Sequence, residues 1–191
     1  MSEPMIRGYI IAHTARFARA HFDEMTSLRF DGELSVELRA LLAEVMPAGW
    51  YPRRHQVELL RGIADVRGHA EGAYGDLLLC GSSMAAIDNQ FMTLLMRVMT
   101  PELFVKKLPK FWARDHQSGG SIEYEPAPGQ AKQGRVRLRN VPGYDHSAVL
   151  WLGWMKQILD VLSAGKADVA QSGWSWTSPG PNDVVYDVRW S

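Results

Sequence analysis

The sequence predicts a single α+β domain, with helices first and then strands and one helix in the order β-β-α-β-β. Three observations carry this. Apolar residues recur at helical spacing through most of residues 1–117. At Ser118-Gly119-Gly120 the pattern switches to alternation, the signature of half-buried strands. One strong amphipathic helix then separates two alternating pairs, and no break in composition marks a second domain. The helical part is thus 1–117 and the β-β-α-β-β part 118–191, within one domain over 1–191.

Each element follows from local chemistry. Residues 5–23 set Ile6, Ile10, Phe17 and Phe22 among arginines and predict one amphipathic helix. In 35–46, Leu38, Leu41, Leu42 and Val45 form an apolar stripe, Ser35 caps it and Pro47 stops it. Pro52 suits a first helical position, Val57, Leu60 and Ala64 mark the next face, and Gly68 closes it. Residues 70–98 are rich in apolar side chains and predict the most buried helical region, with a break near Asp88. Thr100-Pro101-Glu102 starts a helix that Pro109 kinks or resets. Residues 121–125 and 133–140 alternate around a Pro/Gly loop, which predicts a hairpin. Val149 to Leu162 form a helix ended by Gly165. Strands follow near 167–176 and 184–190, where Val184, Tyr186, Val188 and Trp190 share one face.

Composition excludes several classes. The 191 residues have a formal net charge of zero, 46 % hydrophobic and 22 % charged side chains, so neither disorder nor a global field for nucleic acid or an acidic membrane is expected. One cysteine cannot form an internal disulfide. The N-terminal apolar run stops at His13 without a basic n-region, and no stretch suits a spanning helix, so a cytoplasmic protein without a membrane span is expected.

Catalytic and metal motifs are absent. There is no Gly-rich phosphate loop, nucleophile elbow or HExxH, and no two of the six histidines sit at i, i+4. No metal site is expected. Asp115-His116 resembles a dyad only on paper, since neighbouring helical residues point apart. Cys80 reads either as a buried small hydrophobe or as a thiol at a pocket. The seven tryptophans, including Trp112, Trp151 and the pair Trp174 and Trp176, read either as a core wedge or as the aromatic lining of an apolar site, helped by the adaptable Met84. Arg135, Arg137 and Arg139 line one strand face, either as a solvated surface or as a docking face for an acidic protein partner.

The segments GWYPRRHQVELL, PELFVKKLPKFWARDHQSGGSIEYE, YDHSAVLWLGWMKQILDVL and DVVYDVRW carry a resemblance over nearly the whole chain. It resembles a paralogous bacterial family of about this length, abundant in myxobacteria. That family is similar to the superfamily of vinyl-reductase-type domains, TRAPP subunits and haem-NO-binding domains. The resemblance implies helices packed on a twisted antiparallel sheet, a ligand held between those layers, and pairing through helices into a homodimer. In TRAPP-type relatives a cysteine at a hydrophobic channel can be acylated, a role for which Cys80 is a loose candidate. Haem-type relatives need a histidine near KKLPKFW and a Tyr-x-Ser-x-Arg motif. Here Phe111 and Trp112 stand in that segment, His116 follows four residues on, and the motif is missing. That counts against haem, and no cofactor is expected. The resulting expectation is a non-enzymatic regulatory or sensory module that binds a small apolar ligand, with Tyr51, Cys80, Met84, Trp112, Trp151 and Met155 as candidate lining residues. The alternative is a scaffold that acts as a dimer without a ligand.

Overall fold

The structure is a computed structural model. It describes residues 2–68, 70–96, 99–140, 144–172 and 183–191, the side chains of 70, 87–96 and 144–145 excepted. The helical part opens with β1 (Met5–Arg7) and α1 (Gly8–His21), then α2 (Glu24–Glu33) and α3 (Val36–Glu44). β2 (Trp50–Pro52) leads into α4 (Arg53–Arg67), α5 (Ala70–Met96), α6 (Pro101–Asp115) and β3 (His116–Gln117). Then come β4 (Ser121–Pro126), β5 (Gln133–Arg139), α7 (Tyr144–Leu162), β6 (Ala167–Ser172) and β7 (Asp183–Trp190). The α+β class and the β-β-α-β-β order of the second part match the expectation.

The expected helix over 5–23 is divided. Met5–Arg7 is a strand, α1 follows, and Asp23 starts a separate α2 by accepting from the Thr26 backbone N–H. Pairing dictates this: β1 lies at the centre of a small antiparallel sheet of order β2-β1-β3. The expected break near Asp88 is not there, and α5 runs unbroken. Pro109 likewise sits inside a continuous α6, capped by Thr100. The expected strand over 167–176 is seen as β6 up to Ser172; Trp174 and Trp176 lie outside the described residues.

The larger sheet has the order β4-β5-β7-β6, antiparallel throughout. One face buries Ile122, Val136, Leu138, Val184, Tyr186, Val188 and Trp190 in the core that also takes Phe104, Trp154 and Met155. The Tyr186 hydroxyl donates to the Ala148 carbonyl of α7 at 2.8 Å, which ties sheet to helix. α5 and α7 cross with their backbones in contact. A Cβ at Gly153 would fall on the Leu78 carbonyl, and one at Gly81 on the Leu150 carbonyl, so only glycine permits this reciprocal approach. Ser82 seals the crossing by donating to Gly153 O at 3.3 Å.

Candidate functional site

Two regions hold the candidate residues. The first is an aromatic wall between α6, β3 and α7. Trp112 stacks on His116 at 3.8 Å between ring centroids and 9° between planes. Trp151 lies 5.1 Å from Trp112 and 5.4 Å from His116, Trp154 lies 4.9 Å from Trp151, and Phe104 extends the run at 5.6 Å from Trp154. Trp112 donates its indole N–H to Gly120 O at 3.1 Å. Helical spacing sets this up: Phe104, Leu108 and Trp112 on α6, and Trp151 and Met155 on α7, each recur on one face.

His116 is buried with its Nδ1 3.2 Å from the Trp112 carbonyl, so Nδ1 carries the proton and Nε2 the lone pair. Burial holds its pKa well below the ordinary imidazole value, and the nearby Arg53 guanidinium pushes the same way. Among the described residues its Nε2 and the Trp151 N–H have no hydrogen-bond partner. Arg53 is fully buried at the start of α4, 5.7 Å from the Trp112 ring, and burial pulls its pKa down to about 10. Asp115 turns away from His116 to a two-pronged pair with Arg114, so the two make no dyad.

The second region is a cleft of about 530 Å³ beside the small sheet. Tyr9, Ala12, His13 and Arg16 line it from one stripe of α1, at i, i+3, i+4 and i+7. Pro47, Ala48, Met84 of α5, Arg7, Arg114 and Asp115 complete the lining. Arg7 is fixed there by bonds to Ala48 O at 2.5 Å and Arg114 O at 3.2 Å, and stacks 4.0 Å over Trp50. His13 bonds Ser83 Oγ at 3.0 Å, and burial lowers its pKa.

The sequence-derived candidates separate between these regions. Trp112, Trp151 and Met155 are packed core, and Cys80 is fully buried on α5, its thiol pushed far up by burial. Met84, one turn on, lines the cleft. Tyr51 accepts at its hydroxyl from Met46 N at 2.9 Å and so braces the link that holds Pro47 and Ala48. Among the described residues these rings pack against one another in the core, and the α1 cleft lies apart from them. Arg135, Arg137 and Arg139 point outward, paired with Asp187 at 3.1 Å, Glu125 at 3.6 Å and Glu123 at 3.1 Å. Sequence reasoning did not single out Arg7, Tyr9, His13, Arg16 and Arg114; only the α1 stripe carried a signal. Among the described residues no three His, Cys, Asp or Glu side chains gather as for a metal, and no helix is long and apolar enough to cross a membrane.

No known family's sequence profile matches this chain, and no curated protein matches it. Solved structures do. The unliganded Fe(II) H-NOX protein of K. algicida superposes with TM-score 0.71 and 10 % identity over 97 % of each chain. The chain has the H-NOX fold. The S. oneidensis H-NOX protein in its Fe(II)NO state gives 0.70 and 10 %, covering 97 % of this chain and 99 % of that one. A mutant of T. tengcongensis H-NOX gives 0.67 and 6 %, covering 97 % and 98 %. At these identities the H-NOX likeness is one of fold. It agrees with the fold that the sequence resemblance implies, helices packed on an antiparallel sheet.

Proposed function

We propose that this chain is a non-enzymatic regulatory or sensory domain of the H-NOX fold that binds a small ligand in the α1 cleft and works without haem. The cleft carries the reading: its volume falls within the range of small-molecule sites, and it combines apolar walls with a few convergent polar groups. Cys80, the one cysteine of the chain, is buried and its thiol is pushed far up by burial, so it is no activated nucleophile, which favours a non-enzyme. Membership of the myxobacterial family belongs to the same proposal.

The residues present do not fit a haem. The inward face of α6 carries Phe104, Val105, Leu108 and Trp112 and no imidazole. Among the described residues the His116 Nε2 has no hydrogen-bond partner, but its ring is stacked under Trp112 at 3.8 Å and flanked by Trp151 at 5.4 Å, so a macrocycle there would have to displace both indoles. Two measurements test the reading. Titration with reduced haem is expected to give no stoichiometric Soret band. A coordinated 1:1 complex that is lost in His116→Ala would overturn it. Methyl NMR of labelled methionines is expected to show saturable shifts at Met84 with a panel of small amphipathic molecules, and a silent Met84 would remove the cleft.

A second reading, a dimeric interaction module, is favoured by the exposure of Met25, Leu28, Val36 and Met46, each more than half exposed on and around α2 and α3. Light scattering that finds a monomer at high concentration would remove it.

A further inference from the structure

We infer that the α1 cleft selects an anion, a small amphipathic molecule with one carboxylate-type head and a short apolar body, and that Arg16 receives the head. The inference rests on the cleft being the ligand site. The charges of the lining carry it. Arg114 is neutralised by its two-pronged pair with Asp115. Among the described residues Arg7 bonds the carbonyls of Ala48 and Arg114 and stacks on Trp50, and no carboxylate pairs with it. Arg16 is exposed on the α1 stripe and makes no ion pair among the described residues. Burial, and to a smaller degree Arg16, lower the pKa of His13. The lining therefore holds two unmatched positive charges and no unmatched negative one, in a chain whose net charge is zero.

The geometry divides the work. Arg7 is already clamped, so it contributes a fixed field at low entropic cost. Arg16 keeps all its donors for a planar anion, the two-pronged recognition for which a guanidinium is suited. Ala12, Met84, Pro47 and Ala48 supply apolar surface for the body.

Octanoate and octanol share an eight-carbon chain and differ at the head, so titrating both, with Met84 methyl NMR as the readout and Met25 as an exposed control, isolates the anion. Octanoate is expected to bind about tenfold or more tighter than octanol, as a charge-assisted bond implies. Arg16→Gln, a change at an exposed side chain, is expected to weaken octanoate several-fold and leave octanol unchanged. Added salt is expected to narrow the difference between the probes. Equal binding of the two probes would overturn anion selection and leave the cleft as the ligand site. An octanoate preference untouched in Arg16→Gln would overturn the role of Arg16. If neither probe moves Met84, the cleft reading fails and takes this inference with it.

Discussion

Replacing Gly153 by alanine tests the α5–α7 crossing directly. The added Cβ would lie 2.9 Å from the Leu78 carbonyl carbon and 3.2 Å from its Cα, and nearer still to its oxygen. Carbon pairs prefer about 3.5–4.0 Å, so the helices must part by roughly 1 Å. The obstacle is backbone and cannot rotate away. A gap of that size forfeits about a quarter to a half of each dispersion contact along the crossing. Overpacking of this kind costs about 1–3 kcal/mol or somewhat more, against a gain of about 1 kcal/mol from alanine's helix propensity. The expected net loss is up to about 2 kcal/mol. For a chain of this size that lowers Tm by up to roughly 4–8 °C. Gly75→Ala is the matched control, because that glycine lies on the same α5 with nothing within 4 Å of the added carbon. It is expected to raise stability by up to about 1 kcal/mol. Urea or thermal unfolding of both variants measures the difference. If Gly153→Ala is as stabilising as Gly75→Ala, the helices are not in backbone contact and the reasoning fails.

Three further outcomes are expected. Trp112→Ala should cost about 3–5 kcal/mol in chemical denaturation, since its ring is buried, stacked on His116 and bonded to Gly120 O; a loss under about 1 kcal/mol would mean that the aromatic wall is not packed. His13 and His116 have native pKa values below the unfolded one near 6.5, so the unfolded state binds more protons and stability falls as pH drops below about 6.5. The slope reaches about 1.4 kcal/mol per pH unit for each imidazole, down to its native pKa, and His116→Gln should flatten it in pH-dependent melts. Cys80 should react with a thiol reagent only at the rate of unfolding, because it is buried and its thiol stays protonated; rapid labelling of the folded protein would contradict the packing of α5.

Local chemistry made much of the fold legible. Ser35 and Thr100 are seen as N-caps, Gly68 ends α4 in the left-handed region, and the alternation from Val184 to Trp190 faces the core as the sequence predicts. What stayed hidden depends on distant pairing. Met5–Arg7 reads as helix by its neighbours, and only residues 50–52 and 116–117 make it a strand. α2 buries Phe30 alone, so it offers no apolar stripe to read. Part of the site was hidden for the same reason. Spacing places Trp112 on the inner face of α6, and the structure shows that it meets Trp151. Nothing local brings Arg114 beside Arg7 at the start of α1, and nothing local shows that each arginine of the 135–139 stripe faces a carboxylate.

The position of β1 also bears on synthesis. Ile6 pairs with Tyr51 and with His116, residues made 45 and 110 positions later. At about 5–20 residues per second, β1 is translated roughly 5–20 s before its second neighbour exists. During that interval the nascent chain holds an apolar segment with an unfilled edge, so the ribosome-bound stage is when a holding chaperone would have most to protect.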